Sequence, residues 1–248
     1  MFGELEEKVI VVTGASGLIG REVVKYLLEK KARIVALDLN KANEKADYLS
    51  CDITDKNDLD KAMEYTLKKY SRIDGLVNLA YPKTKDWGAF FEDIKLESWQ
   101  RNVDMQMNSV FYLCQKVLDV MKEQKSGSIV NIGSIYGVVG NDFSLYEEYG
   151  GTSPAAYAAI KGGIINLSRY LASYYGKFNV RINCVSPGGV LEPEKQHPSF
   201  IERYSSKSPL KRLARPEEIA TPIAFLLSSE SSYITGHNLM VDGGWTAI

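Results

Sequence analysis

The chain has 248 residues, 45% of them hydrophobic and 25% charged, with a formal net charge of -1 at pH 7. A chain of this length buries a substantial core, and its balanced charge supplies no basic field, which argues against nucleic acid as a partner. Cys51, Cys114 and Cys184 lie far apart without a C-x-x-C pair, and His197 and His237 lack ligand spacing, so free thiols and no metal site are expected.

The opening MFGELEEKVIVVTG puts acidic residues before its apolar run and has no small-residue cleavage site, so it does not read as a secretory signal. No apolar run approaches the roughly 20 residues of a membrane span. A cytoplasmic chain without a membrane partner is expected.

The first strand pattern, KVIVVTG, runs into TGASGLIG and then the helical REVVKYLLEK. Gly14, Gly17 and Gly20 at such a junction permit a tight turn and close backbone approach to a diphosphate, and the helix N-terminus attracts its charge. Gly14, Ser16, Gly17, Leu18 and Ile19 are therefore candidate dinucleotide contacts. The second strand, ARIVALDL, carries Asp38 near its end, where a carboxylate accepts hydrogen bonds from an adenosine ribose and repels a 2′-phosphate. NAD is favoured over NADP, with the nearby Lys41 as the counter-indication. The third, YLSCDI, leads to Asp52 and Ile53, which either hold the adenine edge or cap the helix KNDLDKAMEYTLKKY.

The fourth strand, IDGLVNLA, precedes the long helical WQRNVDMQMNSVFYLCQKVLDVMKEQ, and the fifth, GSIVNIGS, ends on Ser134. An irregular stretch at 137–153 leads to AYAAIKGGIINLSRYLASYY, which carries Tyr157 and Lys161. NVRINCVSP, a second irregular stretch at 188–210, and HNLMVDGG complete seven candidate strands. Strands apolar nearly throughout, alternating with helical patterns, imply a doubly wound parallel seven-stranded α/β sheet with helices on both faces, the Rossmann fold. No linker or repeat splits the chain, so residues 1–248 are expected to form one dinucleotide-binding and catalytic domain. In such sheets ligands bind beyond the carboxyl ends of the strands, where both irregular stretches lie.

The first turn, IVNIGS with Ser134, YAAIK with Tyr157 and Lys161, NCVSPGG from Asn183 to Gly189, and the closing VDGG resemble the short-chain dehydrogenase/reductase family. The likeness runs nearly the whole length and is strongest to the single-domain branch, which includes 3-oxoacyl-carrier-protein reductases and many sugar and polyol dehydrogenases. It implies a catalytic tetrad of Ser134, Tyr157, Lys161 and an amide seven residues after Trp99. That amide is Gln106 where the family has asparagine, with Asn108 or Asn102 as substitutes in another helix register. It also implies cofactor contacts from Asn78, Ala80, Tyr157, Lys161, Pro187, Gly188 and Val190, and a homotetramer or homodimer. Three further departures stand out: the first glycines follow T-G-x-x-G-x-x-G, Tyr81 replaces a glycine, and Glu192 replaces a threonine that bonds the nicotinamide carboxamide.

In isolation a tyrosine and a lysine one helical turn apart are an ordinary surface pair. Joined to the glycine turn and Ser134, they read as chemistry. A phenol is a poor base at neutral pH, and a neighbouring ammonium favours its ionised form. Tyr157 then exchanges a proton with the substrate oxygen as hydride moves, while Ser134 steadies that oxygen. The stretch between Ser134 and Tyr157 is longer than is usual in the family and contains Asp142, Tyr146, Glu147, Glu148 and Tyr149. Aromatic faces pack sugar rings and carboxylates accept hydroxyl bonds, so a sugar-like substrate is expected. The 188–210 stretch, with Lys195, His197, Arg203 and Lys207, reads as a lid that orders on binding. A looser likeness ties these insertions to surface-sugar and flagellin-modification enzymes. The reading is an NAD(H)-dependent oxidoreductase interconverting a secondary alcohol and a ketone, with an NAD-binding sensor or scaffold as the alternative. The glycine spacing alone would suit a sugar-nucleotide epimerase, which needs a further substrate domain.

Overall fold

The computed structural model describes residues 5–41 and 45–248. Seven strands form one sheet in the order β3-β2-β1-β4-β5-β6-β7. They are β1 (Val9–Thr13), β2 (Arg33–Asp38), β3 (Asp47–Ser50), β4 (Gly75–Asn78), β5 (Gly127–Ile132), β6 (Val180–Pro187) and β7 (Asn238–Val241), and every neighbouring pair is parallel. Parallel strands need crossovers, and the helices supply them. They are α1 (Leu18–Glu29), α2 (Lys56–Tyr70), α3 (Leu96–Val103), α4 (Ser109–Gln124), α5 (Ala155–Tyr175), α6 (Pro198–Lys207) and α7 (Glu217–Leu227).

Because side chains alternate along a strand, β1, β2, β4, β5 and β6 each feed two cores. Val11, Val35, Leu37, Leu76, Ile129 and Ile182 pack against apolar residues of α2, α4 and α5. Ile10, Val12, Ile34, Val77, Val130 and Val185 pack against those of α1 and α7. Burial on both faces explains why these strands are apolar throughout rather than alternating. After β3 the chain returns to the other side of β1, which opens a crevice between the carboxyl ends of β1 and β4. Among the described residues, no helix is long and apolar enough to cross a membrane.

Two stretches differ from the sequence expectation. Residues 198–207 of the second irregular stretch are the helix α6, begun by Pro198 at its first position and by His197, whose ring accepts from the Ser199 amide. The Phe200 and Tyr204 spacing gives that helix its apolar stripe. The helix after Trp99 is interrupted at Asp104–Asn108 by a π-turn, which offsets α4 from α3 and turns Met105 and Gln106 inward.

Candidate active site

The glycine turn is shaped by backbone contact. Gly14 has φ of +64°, and a Cβ there would lie 2.7 Å from the Ala80 nitrogen and Cα, while one at Gly20 would lie 2.0 Å from the Gly14 carbonyl oxygen. The Thr13 hydroxyl accepts from the Leu79 and Ala80 amides at 3.1 and 3.2 Å, locking the end of β4 against the turn. Helix α1 starts at Leu18 with no side-chain cap, so its first-turn N–H groups face the crevice free to bind an anion. Asp38 closes the arrangement: its Oδ2 accepts from the Ser16 amide at 2.9 Å and its Oδ1 from the Asn40 amide at 3.0 Å, and the Ser16 hydroxyl donates to the Asn40 carbonyl. A cradle without side chains, a bare helix N-terminus and a fixed carboxylate fit a dinucleotide.

Of the two readings of Asp52, the helix cap goes elsewhere. Asp55 Oδ1 accepts from the Asn57 amide at 2.8 Å and caps α2, whereas Asp52 Oδ1 turns the chain by accepting from the Thr54 amide at 2.9 Å. Ile53 is buried against the α2 side of the sheet. Asn78 uses its Nδ2 to donate to Asn131 Oδ1 at 2.8 Å, and Asn131 donates in turn to Ser168 Oγ at 2.9 Å. This buried amide chain ties β4, β5 and α5 together. Asn131 was missed in the sequence; its place in the otherwise apolar IVNIGS was the available signal.

Ser134 stands just past β5 with its hydroxyl accepting from the Tyr136 amide at 3.1 Å. Helix α5 sets Tyr157 and Lys161 one turn apart. The Lys161 side chain is 7% exposed, and its Nζ donates to the Ile132 carbonyl at 2.8 Å and sits 5.7 Å from the Tyr157 ring centre. Burial raises the Tyr157 pKa, opposed by its hydrogen bond with Ser134. Burial also pushes Lys161 down to about 8, opposed by Cys184. The expectation that the ammonium acidifies the phenol is therefore not met by the protein alone: both groups are too desolvated, and removing water penalises each charged form.

Gln106, 3% exposed, donates from Nε2 to the Pro82 carbonyl at 2.8 Å, while its Oε1 is buried without a hydrogen-bond partner among the described residues. It lines a cavity of about 10 Å3 together with Asn78, Asn131 and Lys161, room for a single water at most. Asn102 instead bonds Thr84 and the Ser98 carbonyl, and Asn108 bonds Asp104 at the surface. Of the three amides, Gln106 is the one that shares this cavity with Lys161.

The charged loops meet each other rather than open space. Arg203 of α6 donates to the Ser144 carbonyl at 2.6 Å and pairs with Glu147 and Glu148 at 3.0 and 3.1 Å, and Lys207 pairs with Asp142. His197 stacks on Tyr149 at 4.7 Å, and Tyr146 packs on Phe200. A third apolar cluster joins Ile135, Leu145, Tyr204 and Leu213 beneath them. The carboxylates expected to hold substrate hydroxyls are thus engaged by cations of α6, and the expected lid is already docked on the insertion. Glu192 likewise pairs with Lys195 at 2.7 Å. Tyr204, unremarked in the sequence, accepts from the Gly189 amide at 2.6 Å and stacks on Trp245 at 4.3 Å. It thereby holds the loop of Pro187, Gly188 and Val190, where Gly188 donates to the Val241 carbonyl at 3.0 Å and Val190 bridges Ala214.

Comparison with known proteins agrees with this geometry. A family model described as Enoyl-(Acyl carrier protein) reductase matches residues 14–246. Post-translational flagellin modification protein A of Campylobacter coli is 36% identical, covering 97% of this chain and 99% of its own. The 3-oxoacyl-acyl-carrier-protein reductase FabG of Thermotoga maritima is 35% identical, covering 97% and 98%. A short-chain dehydrogenase from Leptospira borgpetersenii, solved with bound NAD+, superposes with a TM-score of 0.89 at 34% identity, covering 97% of this chain and 93% of that one.

Proposed function

The chain belongs to the short-chain dehydrogenase/reductase family of oxidoreductases, and from that premise we propose that it interconverts a secondary alcohol and a ketone on a polar, sugar-like substrate with NAD(H). The observation that carries this is the convergence of Ser134, Tyr157 and Lys161 beside a cradle of the Gly14 and Gly20 type. A bound nicotinamide supplies or accepts the hydride. Ser134 donates a hydrogen bond to the substrate oxygen, and Tyr157 gives that oxygen a proton on reduction or takes it on oxidation. Lys161 carries the proton onward to a water held by Gln106 Oε1. With NAD+ bound, the ring's positive charge would offset the burial that raises the phenol.

NAD is the proposed cofactor because the Asp38 carboxylate is fixed by two backbone amides at the end of β2, where a 2′-phosphate would meet its charge. The NAD+ held by the Leptospira dehydrogenase supports the same choice. A polar substrate is supported by the Tyr136 hydroxyl, which stands after Ser134 beside Asp142 and Tyr146. The test is NADH and NADPH oxidation against a panel of keto sugars and small diketones, with Tyr157→Phe as control. The expected result is turnover with NADH that falls by about 100-fold or more in the variant. Equal turnover by the variant removes Tyr157 as the proton donor; tight NADH binding without turnover on any carbonyl favours a sensor.

A further inference from the structure

Resting on that reading, we propose that Tyr81 and Trp87 select the shape of the substrate: they form an aromatic corner around the Tyr157 phenol that prefers a six-membered ring over an open chain. The Tyr81 and Tyr157 ring centres are 5.7 Å apart, those of Tyr81 and Trp87 5.7 Å, and those of Trp87 and Tyr157 6.4 Å. The three interplanar angles are 80°, 83° and 88°. Ring planes that are pairwise nearly perpendicular have mutually orthogonal normals, as the three walls of a corner do. Such a corner constrains a rigid body about all three axes, whereas a single stacking face leaves rotation in its plane free.

The corner is fixed and tied to the reacting groups. Tyr81 has its hydroxyl within hydrogen-bonding reach of the Trp87 indole, and Lys161 Nζ lies 5.7 Å from the Tyr81 ring centre, the same distance as from the Tyr157 ring. Tyr81 is nonetheless 40% exposed, so this residue is partly open to solvent while its ring packs beside the phenol that moves the proton. A saturated ring presents a rigid C–H face to an aromatic wall and loses little entropy on docking. An open chain of equal size must freeze several rotors to make the same contact. The carboxylates of the insertion, being paired with α6, leave this apolar wall beside the catalytic phenol as a source of discrimination that acts on shape.

The experiment compares cyclohexane-1,2-dione with hexane-2,3-dione, two six-carbon diketones, as substrates with NADH. The wild-type ratio of kcat/KM, cyclic over open, is expected to exceed about tenfold, to fall towards unity in Tyr81→Ala and Trp87→Ala, and to persist in Tyr81→Phe, which keeps the face and loses the hydroxyl. A wild type without preference, or an alanine variant that lowers both values alike, overturns the proposal. Binding of cyclohexane-1,2-diol and hexane-2,3-diol to the enzyme–NADH complex, followed by NADH fluorescence, separates the two readings. Ring-selective binding that Tyr81→Ala abolishes, without turnover, sustains the corner and sinks the enzymatic function; unselective binding sinks the corner whatever the turnover.

Discussion

Lys161 is the residue on which pH dependence should turn. Burial lowers its pKa from 10.5 to about 8, so in the protein alone the amine is mainly cationic below that value and neutral above it. Oxidation of an alcohol sends a proton from Tyr157 outward through Lys161, and a neutral amine accepts it; the oxidation rate should therefore rise with pH through an inflection near 8. Reduction needs the proton delivered and should fall across the same range. Gln106 enters through its unpaired Oε1. Replacing it with leucine removes the acceptor that faces the cavity shared with Lys161, so Gln106→Leu should lower kcat by about tenfold with little change in KM and blunt the pH inflection. Gln106→Glu keeps an acceptor oxygen and should restore part of the rate. Loss of activity with an unchanged pH profile would mean that Gln106 acts only by holding Pro82. Gln106 was singled out in the sequence by its distance from Trp99, but its competitors Asn102 and Asn108 could be set aside only with coordinates, because the π-turn changes which side of the helix faces in.

The insertion and α6 behave as one element. Individually the Arg203 and Lys207 ion pairs contribute little, since exposed pairs gain little over water. Together with the Tyr149–His197 stack and the Tyr146–Phe200 contact they bind two loops far apart in the chain. Arg203→Ala removes the contacts to Glu147, Glu148 and Ser144 at once. Amide hydrogen exchange in 142–150 should then accelerate while the melting temperature falls by less than about 4 °C, because the main cores are untouched. KM should rise more than kcat falls. Unaltered exchange would show that the aromatic contacts alone hold the segment. The cost of reading charge by composition is visible here. Asp142, Glu147 and Glu148 looked like hydroxyl acceptors because their partners lie more than fifty residues away, and long-range pairing leaves no periodic trace in a sequence. Strands and cofactor turn were legible for the opposite reason: apolar runs and glycine spacing are local consequences of a sheet buried on both faces and of backbone contact at Gly14.

At the scale of the molecule, the sheet topology follows from the alternation of strand and helix patterns, and the resemblance placed the chain in its family before any geometry. Assembly lies beyond both. The outer surface of the α4–α5 layer carries exposed aromatic residues: Phe111 at 49%, Tyr170 at 64% and Tyr174 at 53%, with the Tyr170 and Tyr174 rings stacked at 6.3 Å. Phe111 lies in the first turn of α4 and the tyrosines in the last turns of α5. Since both helices run opposite to the parallel strands they connect, these residues mark opposite ends of one layer. A two-fold axis lying in the plane of the interface and perpendicular to the helices would lay Phe111 of one copy against Tyr170 and Tyr174 of the other, and the same contact would recur by symmetry, as an isologous interface requires. Burying apolar area at both ends gives such a face its driving force. Light scattering should accordingly return a multiple of 27.7 kDa, with a homotetramer expected from the resemblance. The double variant Phe111→Glu, Tyr170→Glu should reduce the mass by half or more, because each copy then brings two like charges to a desolvated contact. A wild-type particle of 27.7 kDa would show that this aromatic layer stays in water, and an unchanged mass in the double variant would move the interface to another face.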